Sequence, residues 1–191
     1  SPDFPTSAQA AQALYTLSTG NETQGVIGFN QLALKRILEI IGPVPIPAVT
    51  EPVTADNIEE YMAQAWAPTP EQGLSQSWWE HRKDFMQELG LAVLDKAFSI
   101  TNRQQLVSLA STFITLLEQG QIQVYFNDPL AQAVFDRAGL AGSLAPGQGD
   151  YLFMVDSNVG FNKVDAVISR SLKYQLDLTD PLQPLGNATL T

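Results

Sequence analysis

The sequence predicts an α/β chain of three layers, a mixed sheet with helices on both faces. Three observations predict it. Apolar residues recur at helical spacing in several segments, each bounded by Gly, Pro, Asn or Asp. Short apolar or alternating runs of strand type lie between those segments rather than gathered at one end. And 191 residues with 45% hydrophobic content suit a single domain, 1–191, with a sizeable core.

The elements follow in order. Residues 6–18 read as a helix capped by Thr6 or Ser7 and stopped at Gly20-Asn21. Gly25-Val26-Ile27-Gly28-Phe29 reads as a short buried strand. Asn30 then caps a helix in which Leu34, Ile37, Leu38 and Ile41 fall at i, i+3, i+4 and i+7, and Gly42-Pro43 ends it. Val44-Pro45-Ile46-Pro47 is extended, and its prolines bar it from the middle of a sheet. Thr54 caps a helix carrying Ile58, Tyr61, Met62 and Ala65 inward. A loop over 67–77 leads into a long helix from about Trp78 to Phe98. Thr101 or Asn102 caps the next helix, with Leu106, Leu109, Ala110, Phe113 and Leu117 facing in. Ile122, Val124 and Phe126 alternate with polar neighbours, the period of a strand. Asp128 caps a short helix to about Ala138, and a Gly-rich loop covers 139–149.

Two strands are predicted near the end. Tyr151-Leu152-Phe153-Met154-Val155 is apolar on both faces, which places it centrally in the sheet. Residues 164–178 alternate throughout, a long half-buried strand. The connection between them is too short for a crossover, which takes a dozen or more residues, so the two are expected to pair antiparallel.

Composition narrows the partners. The formal net charge is −10, with 10 basic residues scattered among 20 acidic ones. Phosphate backbones and anionic lipid surfaces both select clustered Lys and Arg, so the charge argues against nucleic acid and against a purely electrostatic hold on a membrane. With no cysteine, thiol catalysis, disulfides and thiolate metal sites are excluded. No apolar run approaches the roughly 20 residues of a membrane span. The opening Ser1-Pro2-Asp3-Phe4-Pro5, without an initiator Met, is read as an excised segment, so any membrane anchor is expected in a parent outside it.

Few residues carry a catalytic signature. There is no phosphate-binding Gly loop with Lys-Ser/Thr, no HExxH and no GxSxG. The one histidine, His81, reads as an exposed helix residue. Two arginines are the informative ones. Arg170 falls on the apolar face between Ile168 and Leu172, and Arg82 lies on the stripe of Trp78, Phe85, Leu89 and Val93. A guanidinium on a buried stripe stays charged and needs a carboxylate, an anion or water. Two readings are open: a core ion pair, with Asp156, Asp165 or Asp84 as partners of Arg170, or an anion-binding pocket that uses Arg as a bidentate donor. The acid excess favours the ion pair. In that case Arg170→Met leaves a buried acid unpaired and costs roughly 3–5 kcal/mol. In an anion pocket the same change is nearly neutral.

The loop from Asp156 to Asp165 is dense in oxygen ligands, and Asp156, Asn158 and Asn162 sit at calcium-loop positions. Its glycine is one position early and the closing Glu is absent, so a turn held by Asx side chains is expected, without tight calcium binding. Asn21-Glu22-Thr23 and Asn187-Ala188-Thr189 are glycosylation sequons, a pattern common by chance.

Several of these stretches carry a resemblance. Asp3-Phe4-Pro5-Thr6-Ser7-Ala8, Gly25-Val26-Ile27, the Leu38…Gly42-Pro43-Val44 helix end, Thr54-Ala55-Asp56-Asn57-Ile58 and Arg82-Lys83-Asp84-Phe85 resemble the bacterial domain-of-unknown-function family 4012. The strongest likeness is in Asp150-Tyr151-Leu152…Val155-Asp156-Ser157-Asn158…Asn162-Lys163-Val164-Asp165…Arg170-Ser171. The family's N-terminal Asn/Glu-Leu-Arg and Gly-Gly-Phe signatures are not in this segment. More distantly the chain is similar to the LytR-CpsA-Psr family, extracytoplasmic ligases that move glycans from polyprenyl pyrophosphate onto peptidoglycan. Gly42-Pro43-Val44 and Arg82-Lys83 stand where that family has Gly-Gly-Val and an Arg-bearing helix, but only one arginine of that helix is present.

The resemblance implies a LytR-CpsA-Psr-like fold and an extracytoplasmic envelope setting, with no cofactor. It implies an anionic glycan or polyprenyl-phosphate ligand held by Arg82, Arg170, Lys163, Asp156 and Asp165. Catalysis by this segment, of a phosphotransferase kind, is not implied, because the upstream Arg and Asp motifs lie outside it. The other class of function is a non-catalytic interaction or structural module of the cell surface.

Overall fold

A computed structural model describes residues 1–66, 84–144, 147, 151–155, 168–180, 182 and 184–191. The chain divides into two compact units, Ser1–Pro146 and Gly147–Thr191.

The first unit opens with α1, Phe4–Thr19. Its cap is Asp3, not Thr6 or Ser7 as expected. The Asp3 carboxylate accepts the Thr6 N–H at 3.0 Å, and Pro5 is tolerated because the first turn lacks amide acceptors anyway. β1, Gly25–Phe29, and α2, Gln31–Ile41, follow as predicted, with Asn30 capping α2 through the Ala33 N–H at 3.0 Å. Beyond α2, Val44 pairs with Val53 in an isolated antiparallel bridge. Thr54 and Asn57 then cap each other reciprocally at the turn into α3, Ile58–Trp66. α4, Asp84–Phe98, and α5, Arg103–Glu118, precede β2, Ile122–Phe126, and α6, Pro129–Ala138.

β1 and β2 pair antiparallel in a two-stranded ribbon, with Ile27 opposite Val124. Alternation sends Ile122 and Val124 to one face, where they pack with Ala33 of α2 and with Leu116 and Leu117 of α5. Phe126 meets Phe135 of α6 there, ring centroids 5.2 Å apart. The other face belongs to α1: Gln9 Nε2 donates to the Tyr125 hydroxyl at 2.9 Å, and the Phe4 ring lies over Gly28. A Cβ on Gly28 would come within 2.8 Å of that ring, so the close approach requires glycine. Helices therefore cover both faces of a sheet, as expected, but the sheet is a short antiparallel ribbon and not a mixed one.

A second cluster joins Leu34, Leu38 and Ile41 of α2, the Val44–Val53 bridge, Ile58 and Met62 of α3, and Phe85, Leu89 and Val93 of α4. The described members of these helical stripes match their spacing, while Trp78 and Arg82 lie outside the described residues. In α5 the reading is off by part of a turn. Leu106 and Ala110 are exposed, whereas Leu116, outside the expected stripe, is 2% exposed.

The second unit holds an antiparallel hairpin of β3, Leu172–Asp177, and β4, Leu185–Leu190. Bonds between Ser171 and Thr191 extend the ladder by one pair. The expected strand over 164–178 is thus shorter where described, and its partner is β4. Tyr151–Val155, expected to be its central neighbour, is exposed and carries no strand. β4 went unread because the face it shares with Leu172, Tyr174 and Leu176 is built from Gly186, Ala188 and Leu190, a weak apolar signal. Among the described residues, no helix is long and apolar enough to cross a membrane.

Candidate functional site

Of the five residues expected to hold an anion, Arg82, Lys163, Asp156 and Asp165 lie outside the described residues, as do His81 and the whole oxygen-rich loop. The fifth, Arg170, corrects its expectation. It was placed on a buried strand face between Ile168 and Leu172. In the structure it precedes β3 and is exposed, and its neighbour Ile168 is 49% exposed. No polar or charged residue is buried among the described residues. Asp84, one proposed partner, is an exposed residue in the first turn of α4.

The hairpin beside Arg170 has two chemically distinct faces. Leu172, Tyr174 and Leu176 stand opposite Leu190, Ala188 and Gly186, so one face is apolar. Lys173, Gln175 and Asp177 stand opposite Thr189, Asn187 and Leu185 on the other. All twelve strand residues are exposed. At the turn, the Thr179 hydroxyl and N–H both donate to Asp177, which holds that carboxyl below the usual aspartate range.

The first unit carries a cleft of about 380 Å³ along the seam of α2 and α5. Its apolar lining is Leu32 and Ile40 of α2 and Leu116 of α5. Arg36 and Glu39 line one rim, and Thr112, Thr115 and Gln119 the other. Arg36 Nη1 donates to both Glu39 oxygens, at 3.2 and 2.9 Å. The Thr115 hydroxyl donates back to the Ser111 carbonyl at 3.1 Å. The seam is fixed at both ends. Gln105 Nε2 donates to the Ile40 carbonyl at 2.7 Å, and the Asn30 side chain donates to Gln121.

The sequence reading missed this cleft. The signal available was Leu32, Arg36 and Ile40 at i, i+4 and i+8, one row beside the buried stripe of α2. Among the described residues, no three His, Cys, Asp or Glu side chains converge as a metal site would need.

Residues 1–66 match the model of a family described as Protein of unknown function (DUF4012). The matched stretch holds α1, β1, α2 and α3, and so includes the opening, Gly25-Val26-Ile27, Gly42-Pro43-Val44 and Thr54–Ile58 motifs that carried the resemblance. The closing motifs from Asp150 onward lie beyond it. No curated protein and no solved structure matches the chain significantly.

Proposed function

We propose, with residues 1–66 a DUF4012 segment as the premise, that the chain is an extracytoplasmic cell-envelope domain that binds a phosphorylated or polyprenyl-linked glycan. In this reading the parent protein supplies the membrane anchor, and Arg170 is one of the groups that hold the anion. The observation that carries it is the exposure of Arg170. An exposed guanidinium is within reach of an external phosphate, and its planar fork matches phosphate oxygens. The layering of helices on both faces of the β1–β2 ribbon supports a finer proposal, a LytR-CpsA-Psr-like three-layer fold in the parent.

The test is a thermal-shift series on the full-length parent with polyprenyl phosphate in detergent and with soluble glycan phosphates. The expected result is a saturable rise in melting temperature that Arg170→Met removes. Because Arg170 is exposed, the variant should melt within about 1 kcal/mol of the unliganded parent. No shift with any of these ligands, or an equal shift in the variant, overturns the reading.

One observation favours a second reading, an interaction module of the cell surface. On the apolar face of the β3–β4 hairpin, Leu172, Leu176 and Leu190 are exposed. A lone two-stranded hairpin is marginal in water, so a surface of this kind gains from being covered. A glycan ligand that leaves the hairpin amides unshifted in NMR, together with a protein partner that shifts them, would favour this second role.

A further inference from the structure

We propose that the cleft between α2 and α5 is a binding site for a neutral sugar ring, independent of the role assigned to Arg170. Three features of the cleft converge on that chemistry. Its volume, about 380 Å³, falls at the small end of the range for ligand sites and suits one or two rings. Its apolar lining, chiefly Leu32 and Ile40 of α2, offers a surface to the C–H face of a pyranose. Its rims carry both kinds of hydrogen-bonding group that a row of hydroxyls needs. Arg36 donates only, Glu39 accepts only, and Thr112 and Gln119 do both.

Charge decides which ligand fits. Arg36 uses Nη1 on Glu39, and among the described residues it is the only cation on the rim and Glu39 the only anion. The pair sums to zero, so a free phosphate gains from Arg36 roughly what it loses to Glu39 at a similar distance. A neutral ring with adjacent hydroxyls gains from both: one hydroxyl accepts from the outer guanidinium N–H groups and the next donates to a Glu39 oxygen. Hydrogen bonds to charged groups are the stronger kind, and the Arg36–Glu39 contact holds both partners in place before binding.

The experiment titrates the full chain, labelled with ¹⁵N, with methyl glycosides of glucose, galactose, mannose and N-acetylglucosamine, and separately with inorganic phosphate. The expected result is saturable shifts with at least one glycoside, confined to amides of α2 and α5. Phosphate should leave those amides unmoved. Arg36→Gln and Glu39→Gln should each weaken binding about tenfold, the loss of one charged hydrogen bond. Thr112→Val, which keeps the side-chain shape, should weaken it less, and thermal melts check that all three variants stay folded. The proposal is overturned if no glycoside gives saturable shifts, if the shifts fall outside α2 and α5, if phosphate competes, or if both charge variants bind as the parent chain does. Shifts that map to Arg170 and its neighbours would discard the cleft while leaving the proposed anionic-glycan function standing.

Discussion

Asp3 does more than start a helix. One carboxylate oxygen takes the Thr6 N–H and hydroxyl, and the other takes the Leu144 N–H at 3.0 Å across 141 positions of sequence. The Phe4 N–H adds a bond to the Gly142 carbonyl at 3.0 Å. The Thr6 hydroxyl, then the Leu144 and Thr6 amides, hold the Asp3 carboxyl below the usual aspartate range. The folded state thus prefers the ionised form. Its contribution to stability is complete above the usual aspartate range and is lost as pH falls through the lowered folded value. Melting temperatures followed from neutral pH into that acidic window should drop for the parent chain. They should drop less for Asp3→Asn, which keeps the capping oxygen and loses the charge. Equal acid sensitivity in the two would remove Asp3 from the account. A neighbouring residue gives a steric test. Gly142 has φ of +64°, and a Cβ there would sit 2.6 Å from the Gln123 amide and 3.0 Å from Phe4 Cβ. Gly142→Ala meets strain and overlap at once, and urea unfolding should show a loss of roughly 1–3 kcal/mol.

The elements themselves show what spacing reveals and what it hides. In α2 and α4 the buried stripe runs along the helix against one set of neighbours, so Leu34, Leu38 and Ile41, and Phe85, Leu89 and Val93, were legible from period alone. In α5 the buried positions shift to Leu116 and Leu117 at the end that meets β2, and Leu106 at the other end is 43% exposed. Period gives a face to within part of a turn; the neighbour decides which edge of it is covered. The two ends should therefore differ on truncation. Leu116→Ala should cost about 2–5 kcal/mol as a core cavity, and Leu106→Ala less than half as much, read from denaturant midpoints at constant slope. Equal losses would restore the stripe expected from the sequence. The closing strands failed for a different reason. Tyr151–Val155 is apolar enough for a central strand, but apolar composition does not supply a pairing partner, and β3 is paired by β4 through Gly186, Ala188 and Leu190. Arg170 was misplaced with them, since its burial was inferred from alternation that the ladder does not reach. The Arg36–Glu39 rim was passed over because a charged pair one row off an apolar stripe is what most solvated helix faces look like.

Across the chain, every buried hydrophobic residue among those described lies between Ala8 and Ala141. All of them but Ala8 and Ala141 form two clusters that share Ile37 as a partly buried neighbour, so α2 is the common wall of both. Ser1–Pro146 thus holds the ingredients of an independently stable domain: stripes from several helices, a ribbon covered on both faces, and capped helix ends. The described part of Gly147–Thr191 is different. Its ordered element is a hairpin whose twelve strand residues are all exposed. Two strands gain one ladder of hydrogen bonds and bury too little to offset the entropy of ordering the chain. The sequence reading took 1–191 as one domain, and calorimetry can decide between that and the division at residue 146. Residues 1–146 produced alone should give a cooperative heat-absorption peak and retain the ¹⁵N amide dispersion of α2 and α5. Residues 147–191 alone should give no peak, and far-UV circular dichroism close to an unfolded chain. A non-cooperative 1–146 would mean that its two clusters need residues beyond 146, and the single-domain reading would stand. A folded 147–191 would mean that the hairpin's apolar face is covered within its own segment, which would remove the reason for assigning that face to a partner.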